Sequence, residues 1–91
     1  EYSALERRAR RIKLGMTKEQ VNQIMGPPFL SPPPQYSPFS RNTHAREVYT
    51  DRGRVWEPHV WIEVEYLEGG VRYLRFDWVN GNSEHWVPPK K

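Results

Sequence analysis

Alternation of apolar and polar residues is strongest in the C-terminal half of the chain. Residues 59–67, HVWIEVEYL, and residues 71–79, VRYLRFDWV, both repeat with a period of two. This period is typical of strands with one buried face. The apolar sides carry Val60, Ile62, Val64 and Tyr66 in the first segment and Leu74, Phe76 and Trp78 in the second.

The connection between these two strands determines which residues face each other. A two-residue Gly-Gly loop places Val64 opposite Arg75 and mixes the two faces. A three-residue loop, Glu68–Gly70, with Gly70 in the left-handed conformation, instead places apolar residues opposite each other. We therefore predict the three-residue loop, with Glu63 opposite Arg75 on the outer face and the inner pairs Val64–Leu74, Ile62–Phe76 and Val60–Trp78.

Further strands are expected on both sides of this hairpin. Residues 46–50 form a predicted strand followed by a turn at residues 51–53, and a last hairpin turns at Asn80-Gly81 and returns through residues 83–87. The predicted antiparallel sheet covers residues 46–87 and has three or four strands.

Helical periodicity is confined to the first quarter of the chain. Residues 3–13 contain good helix formers and an apolar stripe of Leu5, Ala9 and Ile12, which predicts a first helix. Residues 17–25 predict a second helix, whose apolar face consists of Val21, Ile24 and Met25.

The ends of the second helix are encoded locally. Thr17 and Gln20 match a capping box, and Met16 is placed to pack on Val21 as a hydrophobic staple. Gly26 suits the left-handed position after the helix, and Pro27-Pro28 prevents its continuation. Such a short helix requires packing on a larger surface for its stability.

Residues 27–44 are rich in proline and show no periodicity. They predict an extended or polyproline-like loop, which at this length points to a function or to disorder. The stretch Pro33-Pro34-Gln35-Tyr36 also matches the PPxY ligands of WW domains, which makes Tyr36 a candidate binding residue.

The order of elements is two helices followed by an antiparallel meander, which is the α+β pattern. We predict one domain over residues 1–91, with both helices packed on one face of the sheet. Its 91 residues permit one small core. The absence of Cys excludes disulfides, thiolate metal sites and a Cys nucleophile.

Positive charge is concentrated near the N-terminus. The chain carries a net charge of only +3, yet five basic residues lie within seven positions: Arg7, Arg8, Arg10, Arg11 and Lys13. Three interpretations remain open for this cluster. It could be a solvated helix face, a contact to anionic lipid, or a contact to nucleic acid phosphates.

Residues 12–28, IKLGMTKEQVNQIMGPP, resemble the signature of the SmpA/OmlA lipoproteins, the BamE-like group. Residues 71–81, VRYLRFDWVNG, are similar to a later strand of that family. The resemblance implies two helices on a three-stranded antiparallel sheet, as in the β-lactamase-inhibitor-protein-like fold. It also implies a non-catalytic module of the bacterial cell envelope that binds another envelope protein in outer-membrane assembly.

Aromatic residues provide the candidate protein-binding site. If the helices cover the inner face of the sheet, Trp61, Tyr73 and Leu67 face outward among charged residues, as at many protein interfaces. The alternatives are that the Pro-rich segment covers this face, or that Trp61 only protects the sheet.

No pattern for catalysis, a cofactor or a metal site emerges. His44, His59 and His85 lack metal-ligand spacing, and no nucleophile elbow or phosphate-binding loop occurs. We therefore expect a non-enzymatic binding module of the cell envelope. The alternative is a cytoplasmic or nucleic-acid-associated domain that binds through the Arg-rich helix.

Overall fold

Two short helices precede a five-stranded antiparallel sheet in the computed structural model, which describes residues 4–51 and 59–90. The α+β class is confirmed, but the sheet has more strands than the predicted three or four. The elements are α1 Ala4–Ala9, α2 Lys18–Met25, β1 Gln35–Ser37, β2 Asn42–Thr50, β3 Val60–Leu67, β4 Gly70–Trp78 and β5 Ser83–Trp86. The strands lie in the order β1-β2-β3-β4-β5.

Helix α1 is shorter than the predicted helix over residues 3–13. Beyond Ala9 the backbone tightens, because the N–H groups of Arg11 and Ile12 donate to carbonyls three residues earlier, at 3.0 and 3.1 Å. The apolar stripe is nevertheless buried as predicted, since Leu5, Ala9 and Ile12 all belong to the core.

Helix α2 begins with the predicted capping box. The Thr17 side chain accepts from the Gln20 N–H at 3.2 Å, and the Gln20 side chain accepts from the Thr17 N–H at 2.9 Å. Gly26 has a positive φ of 83°, but its ψ of −168° is extended, so the predicted left-handed conformation is wrong. Val21 and Met25 are buried, and Ile24 packs beside them.

The predicted register of β3 and β4 is confirmed, with Val60, Ile62 and Val64 opposite Trp78, Phe76 and Leu74. The predicted connection is wrong. Leu67 pairs with Gly70, and Glu68 and Gly69 both have positive φ, which makes a two-residue turn. A register shift between Glu65 and Tyr66 then restores the alignment of the two apolar faces.

Part of the Pro-rich segment extends the sheet, although residues 27–44 were predicted to be a loop. Strand β1 pairs with the first part of β2, which begins at Asn42 instead of residue 46. Leu30 forms an isolated antiparallel bridge with Val48 further along β2. Pro32, Pro33 and Pro34 lie between these two pairings, and they cannot donate backbone hydrogen bonds. The segment therefore lies along the edge of β2.

One face of the sheet carries the core, and both helices pack on it as predicted. Its largest buried side chains include Tyr49, Tyr66, Phe76 and Ile62. The linker between the helices is fixed to β4, because the Gly15 N–H donates to the Val71 carbonyl at 2.9 Å. Of the turn predicted at residues 51–53, only Asp51 is among the described residues. It accepts from the backbone N–H groups of His59 and Val60.

Candidate protein-binding surface

The start of the Pro-rich segment brings two apolar side chains to the outer face of the sheet. The N–H groups of Phe29 and Leu30 both donate to the Val48 carbonyl, at 2.7 and 3.2 Å. Two residues therefore oppose one, as in a β-bulge, which redirects side chains at the edge of a sheet. The Phe29 ring consequently reaches Trp61 on β3.

Phe29 and Trp61 make an edge-to-face contact with their ring centroids 5.6 Å apart. Val48 lies diagonally across from Trp61 on the same face, because Thr50 pairs with Trp61 and Val48 pairs with Glu63. Phe29, Leu30 and Trp61 remain 41%, 52% and 36% exposed. Phe29, Leu30, Val48 and Trp61 form what we call the apolar patch.

Acidic side chains, each close to an arginine or a histidine, continue the outer face beyond the apolar patch. Arg46 lies 3.8 Å from Glu63, Arg75 lies 3.3 Å from Asp77, and His44 lies 3.7 Å from Glu65. The predicted Glu63–Arg75 register is therefore present, but each of the two side chains has another ionic partner. Burial, followed by the charge of Glu63, raises the pKa of Glu65.

The other predicted aromatic and apolar site residues lie away from the patch. Leu67 is half-buried at the opposite end of β3, about 20 Å from Trp61 at the usual rise per strand residue. Tyr73 is half-buried and stacks on His85, with ring centroids 4.3 Å apart. Tyr36 is 61% exposed, but it lies on β1, so the PPxY stretch ends in a strand. The structure does not join these residues into one surface.

The five basic residues near the N-terminus divide into two sets. Arg7, Arg8 and Arg11 are exposed, and Lys13 is half-buried. The Arg10 guanidinium instead donates to both oxygens of Glu84, at 2.8 and 3.0 Å. It also lies 4.1 Å from the Phe76 ring centroid and 5.0 Å from that of Trp86. Arg10 therefore closes one end of the core.

Replacing Arg10 with Met is expected to lower the free energy of unfolding by about 1 kcal/mol, because the ion pair and the cation–π contacts are lost. Arg11→Met is the matched control, since Arg11 is exposed. Urea unfolding of both variants measures the difference. Equal midpoints for the two variants would show that Arg10 is not a structural residue.

The hydrogen bond from Arg10 lowers the pKa of the Glu84 carboxyl. A carboxyl whose pKa is lowered by folding stabilises the fold at pH values above its unfolded-state pKa. This stabilisation is lost as the pH falls. The difference between wild type and the Arg10→Met variant is therefore expected to shrink under acidic conditions, below about pH 4.

A buried polar network on the inner face escapes prediction from the sequence. Glu47 is only 1% exposed, and its carboxylate accepts from the hydroxyls of Tyr66 at 2.7 Å and Tyr49 at 3.1 Å. The Asn22 amide donates to it at 3.2 Å, and the Ser31 hydroxyl lies at 3.5 Å. The carboxylate therefore ties α2, the Pro-rich segment, β2 and β3 together.

The three histidines do not converge. His44 faces Glu65, His85 stacks on Tyr73, and His59 is exposed just before β3. Within residues 4–51 and 59–90, no group of three or more His, Cys, Asp or Glu side chains is placed to hold a metal ion. Among the same residues, no helix combines the length and apolarity that crossing a membrane requires.

Comparison of the chain with protein-family models, curated proteins and solved structures gives no match. The resemblance of residues 12–28 to the SmpA/OmlA family therefore stays a prediction.

Proposed function

We propose that this chain is a non-catalytic module that binds a protein partner through the apolar patch. The observation that carries the proposal is the exposure of three neighbouring large apolar side chains, Phe29, Leu30 and Trp61, of which Phe29 and Trp61 are in edge-to-face contact. Contiguous apolar surface rimmed by charges is characteristic of protein interfaces, and tryptophan is among the residues that most often dominate their energetics.

The backbone geometry supports this proposal. The double hydrogen bond to the Val48 carbonyl fixes Phe29 and Leu30 on the edge of the sheet, and Trp61 projects from the start of β3, the middle strand of the sheet. Side chains that are already held in place before binding lose less conformational freedom on binding, which favours affinity. The flanking ion pairs, such as Arg46–Glu63, supply a polar rim that fixes the orientation of the partner.

The family resemblance suggests the setting of this interaction. Because residues 12–28 resemble the SmpA/OmlA signature, we propose another envelope protein of a bacterium as the partner, in the periplasm or at the membrane. The exposed Arg7, Arg8 and Arg11 then belong to a side that can face anionic lipid.

A photo-crosslinking residue at Leu30 tests the proposal in bacterial envelope extracts, because Leu30 is exposed within the patch. We expect a defined crosslinked protein, whose affinity for the Trp61→Ser variant is then measured. Loss of a central aromatic anchor is expected to weaken binding by about tenfold or more. Phe39→Ser is the matched control, since Phe39 is 99% exposed but lies in the β1–β2 turn, outside the patch.

A salt series separates this proposal from binding through the Arg-rich helix. Affinity through the apolar patch is expected to change little with salt, whereas nucleic acid binding falls steeply because counterions are released. If Arg11→Glu abolishes binding, Trp61→Ser leaves it unchanged and the affinity falls with salt, the partner is a polyanion and the proposal is wrong.

A further inference from the structure

The outer edge of β5 has no neighbouring strand among the described residues, since β5 is the last strand of the sheet. The Trp78 N–H donates to the Asn82 carbonyl at 2.9 Å, which marks a hydrogen-bonded pair. Such pairs alternate with pairs that are not hydrogen-bonded, so Phe76–Glu84 and Leu74–Trp86 are also bonded. The N–H and C=O groups of Ser83 and His85 therefore point away from β4.

The two edges of the sheet differ in how they are protected. Three consecutive prolines, Pro32–Pro34, lie along the edge beside β2, and proline removes the donors that another strand needs. From Ser83 to Val87 there is no proline. The charge on β5, at Glu84, lies on the helix side and is bound by Arg10. Neither a proline within the strand nor a charge free of an intramolecular partner therefore protects β5 against pairing with another strand.

We propose that a second copy of this chain pairs with β5 in antiparallel orientation, which forms a ten-stranded sheet across a two-fold axis. The axis passes beside His85, so that His85 faces His85 of the partner subunit. In this register Ser83 faces Val87 of the partner subunit, and Glu84 faces Trp86 of the partner subunit. Residues of equal parity face each other, so both helix layers lie on the same side of the continuous sheet.

With the strand continued by one residue to Val87, this register uses all the outward backbone groups between residues 83 and 87. The pairs of Ser83, His85 and Val87 with the partner subunit each exchange two hydrogen bonds, about six in total. Shifting the register by two residues in either direction loses one pair, and it places either Glu84 opposite Glu84 of the partner subunit or Trp86 opposite Trp86 of the partner subunit. A shift by one residue misaligns donors and acceptors and reverses the faces.

Charge complementarity also favours a second copy over an unrelated strand. Arg10 lies over the Trp86 ring, with 5.0 Å between the guanidinium carbon and the ring centroid. Because Glu84 faces Trp86 of the partner subunit, it comes close to the partner's Arg10 as well as its own. The two Arg10–Glu84 pairs then alternate across the axis, and no like charges lie directly opposite each other.

Sedimentation of the purified chain over a wide concentration range tests this inference. We expect the mass to rise from the 10.9 kDa of one chain toward twice that value. His85→Pro removes an outward N–H without removing a bond to β4, and it is expected to weaken dimerisation by about tenfold or more. His85→Gln keeps the backbone N–H and is the matched control that should still dimerise.

Amide hydrogen exchange of the wild type gives a second readout that does not depend on the folding of a variant. The amides of Ser83, His85 and Val87 are expected to exchange more slowly as the concentration rises, because they become hydrogen-bonded only in the dimer. A mass that stays at one chain at every concentration overturns the inference. It is also overturned if His85→Pro dimerises like the wild type while Trp61→Ser does not, since the apolar patch would then be the interface.

Discussion

Replacing Glu47 with Gln is expected to lower the free energy of unfolding by about 2 kcal/mol, and replacing it with Ala by about 3 kcal/mol or more. The carboxylate accepts from Tyr49, Tyr66 and Asn22 in a site where only 1% of Glu47 is exposed. Removing a buried acceptor leaves its donors without the partner that compensates their lost hydration. Gln retains one carbonyl acceptor, so its effect is expected to be smaller than that of Ala.

Urea unfolding followed by circular dichroism measures both variants of Glu47. Glu63→Gln is the matched control, because Glu63 is also a strand carboxylate but lies on the outer face, 3.8 Å from Arg46. The control is expected to change the free energy of unfolding by less than about 0.5 kcal/mol. If Glu47→Gln behaves like Glu63→Gln, the network does not stabilise the fold.

Sequence reasoning could not reveal the Glu47 network. Its donors lie on different elements, with Tyr66 19 residues and Asn22 25 residues away from Glu47 in the chain. A Glu in an alternating strand is normally assigned to the solvent side, because an unpaired buried carboxylate is costly. The only signal in the sequence is the stretch Glu47-Val48-Tyr49, in which Glu47 shares the parity of the buried Tyr49.

The β3–β4 hairpin shows which part of a register the sequence determines. The apolar faces specify that Val64 lies opposite Leu74, because burial selects the alignment. They do not specify whether the odd residue of this hairpin lies in the loop or in a bulge within the strands. The prediction assigned it to the loop, whereas the chain forms a two-residue turn at Glu68-Gly69 and shifts the register within the strands. Both solutions bury the same side chains, so the pattern cannot separate them.

The prolines and the lack of periodicity in residues 27–44 predict an extended loop, in keeping with the rule that proline is disfavoured in strands. That rule holds for strands with neighbours on both sides. At an edge, the missing N–H of Pro32–Pro34 is tolerated, and Leu30 and β1 pair with β2 on either side of the prolines. Which strand lies at the edge depends on the tertiary arrangement, which no local pattern contains.

The most recognisable part of the sequence has a structural role. A Cβ atom added to Gly70 would lie 3.2 Å from the Gly15 Cα atom, so Gly70 allows close packing of the helix linker on β4, and Gly15 within the signature has a positive φ of 84°. Thr17 and Gln20 cap α2. These residues fix the local fold around α2, whereas the proposed binding residues Phe29, Leu30 and Trp61 lie outside residues 12–28. Partner choice can therefore change without any change in the signature.

Raising the pH from about 9 to about 11.5 is expected to destabilise the fold by about 4 kcal/mol through Tyr49 and Tyr66 alone. Burial, followed by the neighbouring Glu47 carboxylate, raises the pKa of both hydroxyls well above that of an ordinary tyrosine. Because folding raises these pKa values, each protonated tyrosine contributes its full stabilisation below the unfolded-state pKa of about 10. This stabilisation is lost as the pH rises above that value. Each tyrosine then contributes a loss of about 1.4 kcal/mol per pH unit.

Two measurements test this pH dependence. Urea unfolding across the alkaline range gives the slope of the free energy of unfolding against pH. The Tyr66→Phe variant is expected to show about half of the pH-dependent destabilisation that the two tyrosines cause together. The rise of tyrosinate absorbance after a pH jump gives the ionisation directly. Of the five tyrosines in the chain, at least two are expected to ionise only in step with unfolding. Ionisation of all five before the loss of the circular dichroism signal would show that burial beside Glu47 does not hold these hydroxyls protonated.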